Sequence, residues 1–290
     1  MAEGMGFDYV ELSASEMATM EPWDPTAYAG LRVRALNLFL PSGMSVWTDP
    51  PSGFLAQMMR VFPRAGDIGV DVVVVGGGGQ RWHDFSKESW RQLSPEFLPC
   101  TSAESAFGKL IFGAFLRFYH SEYDQFLKDF LDISLQETPS REDFHQKIRE
   151  AVRSWMSPVM APEGLNRSET NLGTDTGSFA HTLAYYGIPY TADAFHILKE
   201  WDFDGREGGL EEPTPRFWEE QLPFAPAHVH VANLVGRAAP FSYDQLLPGF
   251  FRRLSKLGYQ GRVSLEVSTP FSELDGAADR LRALIESNSY

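Results

Sequence analysis

Four residues have the types and the placing needed to hold a divalent cation: Glu163 in APEGLN, Asp193 in YTADAFH, His230 in AHVHVAN and Glu266 in RVSLEV. Each falls at or near the end of a short apolar, β-rich run. Singly, a carboxylate in such a place is ordinarily a helix cap, and a lone histidine is ordinarily a satisfied core residue. Together, three carboxylates and one imidazole form a hard, oxygen-rich donor set. Such a set suits Mn²⁺, Mg²⁺ or Co²⁺ better than the thiolate sites that hold structural zinc, and one Mn²⁺ ion is the first expectation. A divalent ion bound to a carbonyl and a neighbouring hydroxyl polarises the carbonyl, acidifies the adjacent C–H and stabilises an enediolate.

For these residues to meet, the elements that bear them must converge. Seven strands are expected, at Phe7–Leu12, Val33–Leu40, Val70–Val75, Ser157–Glu163, Ile188–Asp193, His228–Ala232 and Arg262–Val267. The third, VDVVVV, is the unbroken apolar run of a parallel strand covered on both faces. Helical periodicity fills gaps between them: Arg141–Trp155 places Phe144, Ile148, Val152 and Trp155 on one face behind Ser140, and Tyr243–Leu257 does the same with Leu246, Leu247, Phe250 and Leu254. Alternating strands and helices over 290 residues predict a single α/β domain spanning 1–290, either a (β/α)8 TIM-barrel-like fold or a doubly wound sheet. In a parallel barrel the C-terminal strand ends share one mouth, where the four side chains can meet. The chain opens on what reads as the tail of a helix, which leaves no segment for a first barrel strand. Residues 95–139 read as a helical insertion, with Phe107, Leu110, Phe115, Phe118, Phe126 and Phe130 among its apolar positions. Such an insertion packs on the barrel, covers the mouth or joins two copies in a homo-oligomer.

Composition narrows the partners. With 25 Lys and Arg against 39 Asp and Glu, the chain has a formal charge of −14, which argues against nucleic acid and against a barrel nuclease. One cysteine, Cys100, excludes an internal disulfide framework and fits a cytoplasmic protein. There is no signal-like N-terminus and no run of about 18 apolar residues, so a membrane partner is not expected.

The phrases GFDYVEL, ALNLFLPSG, VVVVGGGGQR, EGLNRSETN, ADAFH, HVHVANLVGR and GYQGRVSLEV resemble, in order and approximate spacing, the strand-end signatures of the sugar phosphate isomerase/epimerase family. These are xylose isomerase-like barrels that include ketose 3-epimerases, hydroxypyruvate isomerase and inosose dehydratase. The resemblance implies that Glu163, Asp193, His230 and Glu266 are the metal ligands. It also implies that Glu163 and Glu266 are the catalytic proton-transfer pair on opposite faces of the substrate. His196 and Arg237 match positions that bind substrate oxygens, and Glu11, which matches an acidic position near the mouth, is a third candidate for binding substrate. The implied activity is metal-dependent isomerisation or epimerisation of a small keto-sugar or cyclitol through an enediolate. A dehydratase or lyase of the same family, and a degenerate barrel with a binding or assembly role, are the alternatives.

The sequence departs from the family pattern in four places: the absent first strand, Pro158 and Pro162 within an interior strand with Gly164 rather than proline after Glu163, Asn233 where an acidic residue is common, and the aromatic insertion between the third and fourth strands, close to the mouth. Among smaller signals, the GGGG at 76–79 lacks the rest of a phosphate loop and reads as a tight turn. Arg81 reads as a surface cation. Phe39, Trp47 and Trp82 read as core residues, and His83, His120 and His145 as structural or surface residues.

Overall fold

The computed structural model describes residues 3–44, 51–77, 159–166, 175–185, 188–203, 212–240 and 244–289. The predicted insertion at 95–139, the predicted helix Arg141–Trp155, Pro158, Trp47, Arg81, Trp82 and the histidines at 83, 120 and 145 lie outside the described residues.

All seven predicted strands are present, six with trimmed ends and the first shifted to run one residue past Leu12, and helices follow most of them in a repeating βα order. The chain runs through β1 (Val10–Ser13), α1 (Ala14–Thr19), β2 (Val33–Asn37), α2 (Pro51–Asp67), β3 (Val72–Val75) and β4 (Val159–Pro162). It continues through α3 (Thr176–Tyr185), β5 (Thr191–Asp193), α4 (Ala194–Phe203), α5 (Pro215–Gln221), β6 (His228–Val231), α6 (Pro248–Lys256), β7 (Val263–Leu265) and α7 (Ala277–Glu286). Every strand pair is parallel and sequential, β1-β2-β3-β4 in one ladder and β5-β6-β7 in another. This is the winding of an α/β barrel wall.

Local chemistry sets the helix starts. Ser13 accepts from the Glu16 N–H to open α1, and Thr214 accepts from the Phe217 N–H ahead of Pro215 to open α5. The helix predicted over 243–257 begins only at Pro248. Proline there supplies the fixed φ of a first turn, and the Asp244 carboxylate caps the preceding bend through the Leu246 and Leu247 N–H groups. The buried stripes of α6 (Phe250, Phe251, Leu254) and α7 (Ala277, Ala278, Leu281, Leu284) face inward; Phe250, Phe251, Leu254, Leu281 and Leu284 share one apolar core with Leu36, Val73, Met160, Ile197, Trp218 and Val229, and Ala277 packs in a smaller cluster with Ala239 and Leu274. Phe39 is fully buried beside Phe62, as a core residue should be.

The ladder thins at two seams. Between β4 and β5 the only described pairing is the bridge Glu163↔Thr191. Pro162 explains this seam. The Glu163 N–H donates back to Val75 O on β3 at 3.1 Å, and successive backbone N–H groups of a strand alternate sides, so residue 162 should donate toward β5. Proline has no N–H to give. The other seam lies between β7 and β1, where no backbone pairing occurs among the described residues. Across it the Tyr9 hydroxyl bonds Ser264 Oγ at 2.8 Å. A cavity of about 770 Å³ runs there from Leu254, Leu281 and Ile285 of the outer helices to Glu11 and Glu266.

Helix packing tolerates little added volume at Gly177, where a Cβ on α3 would fall 1.9 Å from the Glu220 carbonyl oxygen of α5. Gly177→Ala is expected to destabilise the fold by about 1–3 kcal/mol. Gly66→Ala, near the end of α2 with nothing within 4 Å, should be neutral or slightly stabilising. Thermal unfolding of the two variants side by side checks the contrast.

Candidate metal centre

Side chains two residues apart on a strand share a face. Ala161 and Glu163, Thr191 and Asp193, His228 and His230, and Ser264 and Glu266 are four such pairs, and the second member of each lies nearer the C-terminal strand end. The parallel register places Thr191 beside His228 and Asp193 beside His230, and the Glu163↔Thr191 bridge continues the row onto β4. The four residues predicted as metal ligands therefore converge. One donor atom from each of Glu163, Asp193, His230 and Glu266 lies within 4.8 Å of all the others.

His230 is the hub. It is fully buried, and its Nδ1 lies 2.9 Å from Glu163 Oε1 and 3.1 Å from Glu266 Oε2. The Asp193 carboxylate is also buried, and its Oδ1 accepts from the Phe195 N–H at 2.7 Å, which caps α4. Gly76, first of the four glycines, is the neighbour that makes room. A Cβ there would fall 2.7 Å from Glu163 Oε2, so this glycine clears space for a carboxylate.

The three remaining predicted residues surround the cluster. His196 is buried beside Asp193, its Nε2 3.4 Å from Oδ2, and Asn166 Nδ2 lies 2.7 Å from its Nδ1. Arg237 reaches Asp193 Oδ2 at 3.4 Å, pairs with the Glu266 carboxylate and lies over the Phe195 ring, 4.8 Å from its centre. Its backbone has φ of +48° after Gly236 at +72°, a left-handed pair that folds the turn back onto the cluster. Glu11 touches both strand histidines, Oε1 to His230 Nε2 at 2.9 Å and Oε2 to His228 Nε2 at 3.2 Å. Asn233 bonds Asp244 and the Val235 N–H and closes the turn.

Sequence reasoning missed His228, Ser264, Tyr9 and Asn166, whereas Gly76 belongs to the turn already read from the glycines at 76–79. The signal for His228 was present, because H-x-H on a strand puts both imidazoles on one face.

No family model matches this chain, and no curated protein matches it. Among solved structures it is similar to a D-psicose 3-epimerase determined in the presence of D-fructose, with a TM-score of 0.58 and 11% identity over 99% of this chain and 91% of that one. It is also similar to a xylose isomerase domain protein from Alicyclobacillus acidocaldarius subsp. acidocaldarius, with a TM-score of 0.54 and 17% identity over 100% of this chain and 92% of that one. The fold is xylose isomerase-like. No described helix is long and apolar enough to cross a membrane.

Within this xylose isomerase-like barrel the electrostatics suit a cation. Burial raises the Asp193 carboxyl well above the ordinary range, and the charges of Glu163 and Glu266 push it further. Burial alone would also raise Glu266, but the charge and hydrogen bond of His230 and the charge of Arg237 hold it down at about 2. For Glu11, burial is outweighed by the two histidines, which lower its carboxyl. His230 shows the converse: burial disfavours its charge, but Glu11, Glu266 and Glu163 raise it well above the ordinary imidazole value. His228 is lowered, chiefly by burial. Three carboxylates crowded around one imidazole are the donor chemistry that a divalent ion neutralises, and the residues present fit such an ion.

The same crowding predicts a stability effect. A carboxyl raised in the folded state loses stability as pH climbs from its unfolded value through its folded one, so without metal Asp193 carries a larger penalty at pH 8 than at pH 4. Asp193→Asn keeps the Oδ1 acceptor for the Phe195 N–H and removes the charge. In chelator at pH 8 it is expected to raise Tm, by about 2–4 °C for each kcal/mol relieved, and the gain should shrink toward pH 4. Calorimetry of the two proteins across that range is the check.

Proposed function

We propose that this protein is a divalent-metal-dependent isomerase or epimerase of a small keto-sugar or cyclitol, working by proton transfer through an enediolate. The observation that carries the reading is the convergence of Glu163, Asp193, His230 and Glu266 from β4, β5, β6 and β7 into one buried donor set. It is supported by a barrel whose solved neighbours include a D-psicose 3-epimerase studied with D-fructose.

Three oxygen donors and one nitrogen favour Mn²⁺, with Mg²⁺ and Co²⁺ as alternatives. When bound, such an ion polarises the substrate carbonyl and stabilises the negative charge that develops on its oxygen. The protein's own residues do the rest. Glu266, held ionised by His230 and Arg237, takes the proton from the carbon beside the carbonyl, and that C–H electron pair becomes the enediolate double bond. Glu163, entering the step protonated, gives its proton to the opposite face and regenerates the carbonyl. Return to the same carbon inverts it, whereas return to the neighbouring carbon moves the carbonyl and gives the isomer. His196, fixed by Asn166 and Asp193, and Arg237, braced by Phe195, are the groups assigned to the substrate oxygens.

The test is exchange in D₂O. A panel of ketoses, 3-keto-sugars and inososes is incubated with Mn²⁺-loaded protein, the metal is stripped, and deuterium is located by NMR. Deuterium beside the carbonyl is expected, falling by about 10²- to 10⁴-fold in Glu266→Gln and in Glu163→Gln. No exchange with any compound, together with no bound metal, would favour a barrel that only binds.

A further inference from the structure

Glu11 lies behind the metal centre, and its surroundings suit a different job from touching substrate. Its carboxylate, only 9% exposed, accepts from His230 Nε2 on one oxygen and from His228 Nε2 on the other. His228 Nε2 is also 3.0 Å from Ser264 Oγ, which bonds the Tyr9 hydroxyl. A continuous line of contacts, Tyr9, Ser264, His228, Glu11 and His230, thus crosses from β7 to β6 to β1 and back to β6. It ends on the ring nitrogen of His230 that faces away from Glu163 and Glu266.

A neutral imidazole has one N–H and one lone pair, and a carboxylate can only accept. Once Nδ1 gives up its proton to ligate an ion, a carboxylate on Nε2 keeps the remaining proton there and leaves the Nδ1 lone pair on the side of Glu163 and Glu266. Ring orientation follows too, because two oxygens bridging two perpendicular imidazoles, whose interplanar angle is 88°, leave His230 little freedom to rotate. A partner of this kind behind a ligating histidine typically accounts for about 10- to 100-fold in metal affinity.

We propose that Glu11 is a positioning residue that fixes the Nε2–H tautomer and the orientation of His230, and that His228, Ser264 and Tyr9 hold Glu11 for that task. The assignment rests on the reading of the Glu163, Asp193, His230 and Glu266 cluster as a metal centre. It competes with a second arrangement, in which Glu11, His228 and His230, whose donor atoms also lie within 4.8 Å of one another, ligate an ion of their own.

The experiment titrates the full chain with Zn²⁺, as a diamagnetic probe, by calorimetry, and reads the histidine tautomers by long-range ¹H–¹⁵N NMR. The wild-type protein is expected to take up one equivalent, with His230 as the Nε2–H tautomer. Glu11→Gln should still take up one equivalent, about 10- to 100-fold more weakly, with the His230 tautomer no longer fixed. His228→Gln leaves Glu11 and His230 in place and should weaken uptake by a smaller factor in the same direction, which guards against a folding failure of the first variant. One equivalent bound as tightly in Glu11→Gln, with the tautomer unchanged, overturns this assignment and leaves the metal centre standing. Two equivalents in the wild type and one in Glu11→Gln make Glu11 a ligand and also overturn it. No uptake by the wild-type chain overturns the metal centre, and this assignment with it.

Discussion

Carboxylates do not gather in a protein interior without opposing charge, and here the rest of the site is arranged around that constraint. Desolvating one ion costs several kcal/mol in a folded protein, and Glu163, Asp193 and Glu266 are brought to within 4.8 Å of one another through His230. His230 and Arg237 are the protein's own compensation. The imidazole lies between Glu163 and Glu266, and the guanidinium pairs with Glu266 while reaching Asp193. Their effect is uneven: Glu266 is held ionised, whereas at Asp193 burial and the charges of Glu163 and Glu266 outweigh them and push the carboxyl toward its protonated form.

Building such a centre needs both rigid placement and local room. Placement comes from period-two alternation on parallel strands, which puts each ligand one step beyond another inward residue. Room comes from Gly76, whose missing side chain admits the Glu163 carboxylate. The ladder around Glu163 is weakened by Pro162, yet the glutamate is held from both sides, by its N–H to Val75 and by its bridge to Thr191. A proline inside the wall therefore opens a seam without displacing the ligand, because the missing donor belongs to the residue before it.

Much of this was legible in the sequence. Strand positions followed from short β-branched runs, and ligand positions from the type of residue that ends them. What escaped was whatever depends on three-dimensional adjacency rather than pattern. The polar residues under the ligands are an example: Ser264 and Tyr9 look like ordinary strand residues, and only the curl of the wall brings them beside His228. The start of α6 was missed for a different reason. Leu246 and Leu247 continue the helical periodicity of Phe250 and Leu254, but they are buried in a bend capped by Asp244, and burial alone mimics a helix face.

The seam between β7 and β1 and the metal centre form one structural problem. Among the described residues no backbone bond fixes the separation of β7 and β1, and Glu11 and Glu266 stand on the two sides of that seam. The polar line from Tyr9 through Ser264 and His228 to Glu11 spans the same gap with side chains. Hydrogen bonds buried at low dielectric are strong when fully satisfied and costly when broken. The line can therefore set the distance between β1 and the β6–β7 ladder as a pairing strand would. On this view the chemistry at His230 and the integrity of the wall share residues, and the second layer of the site doubles as its closure.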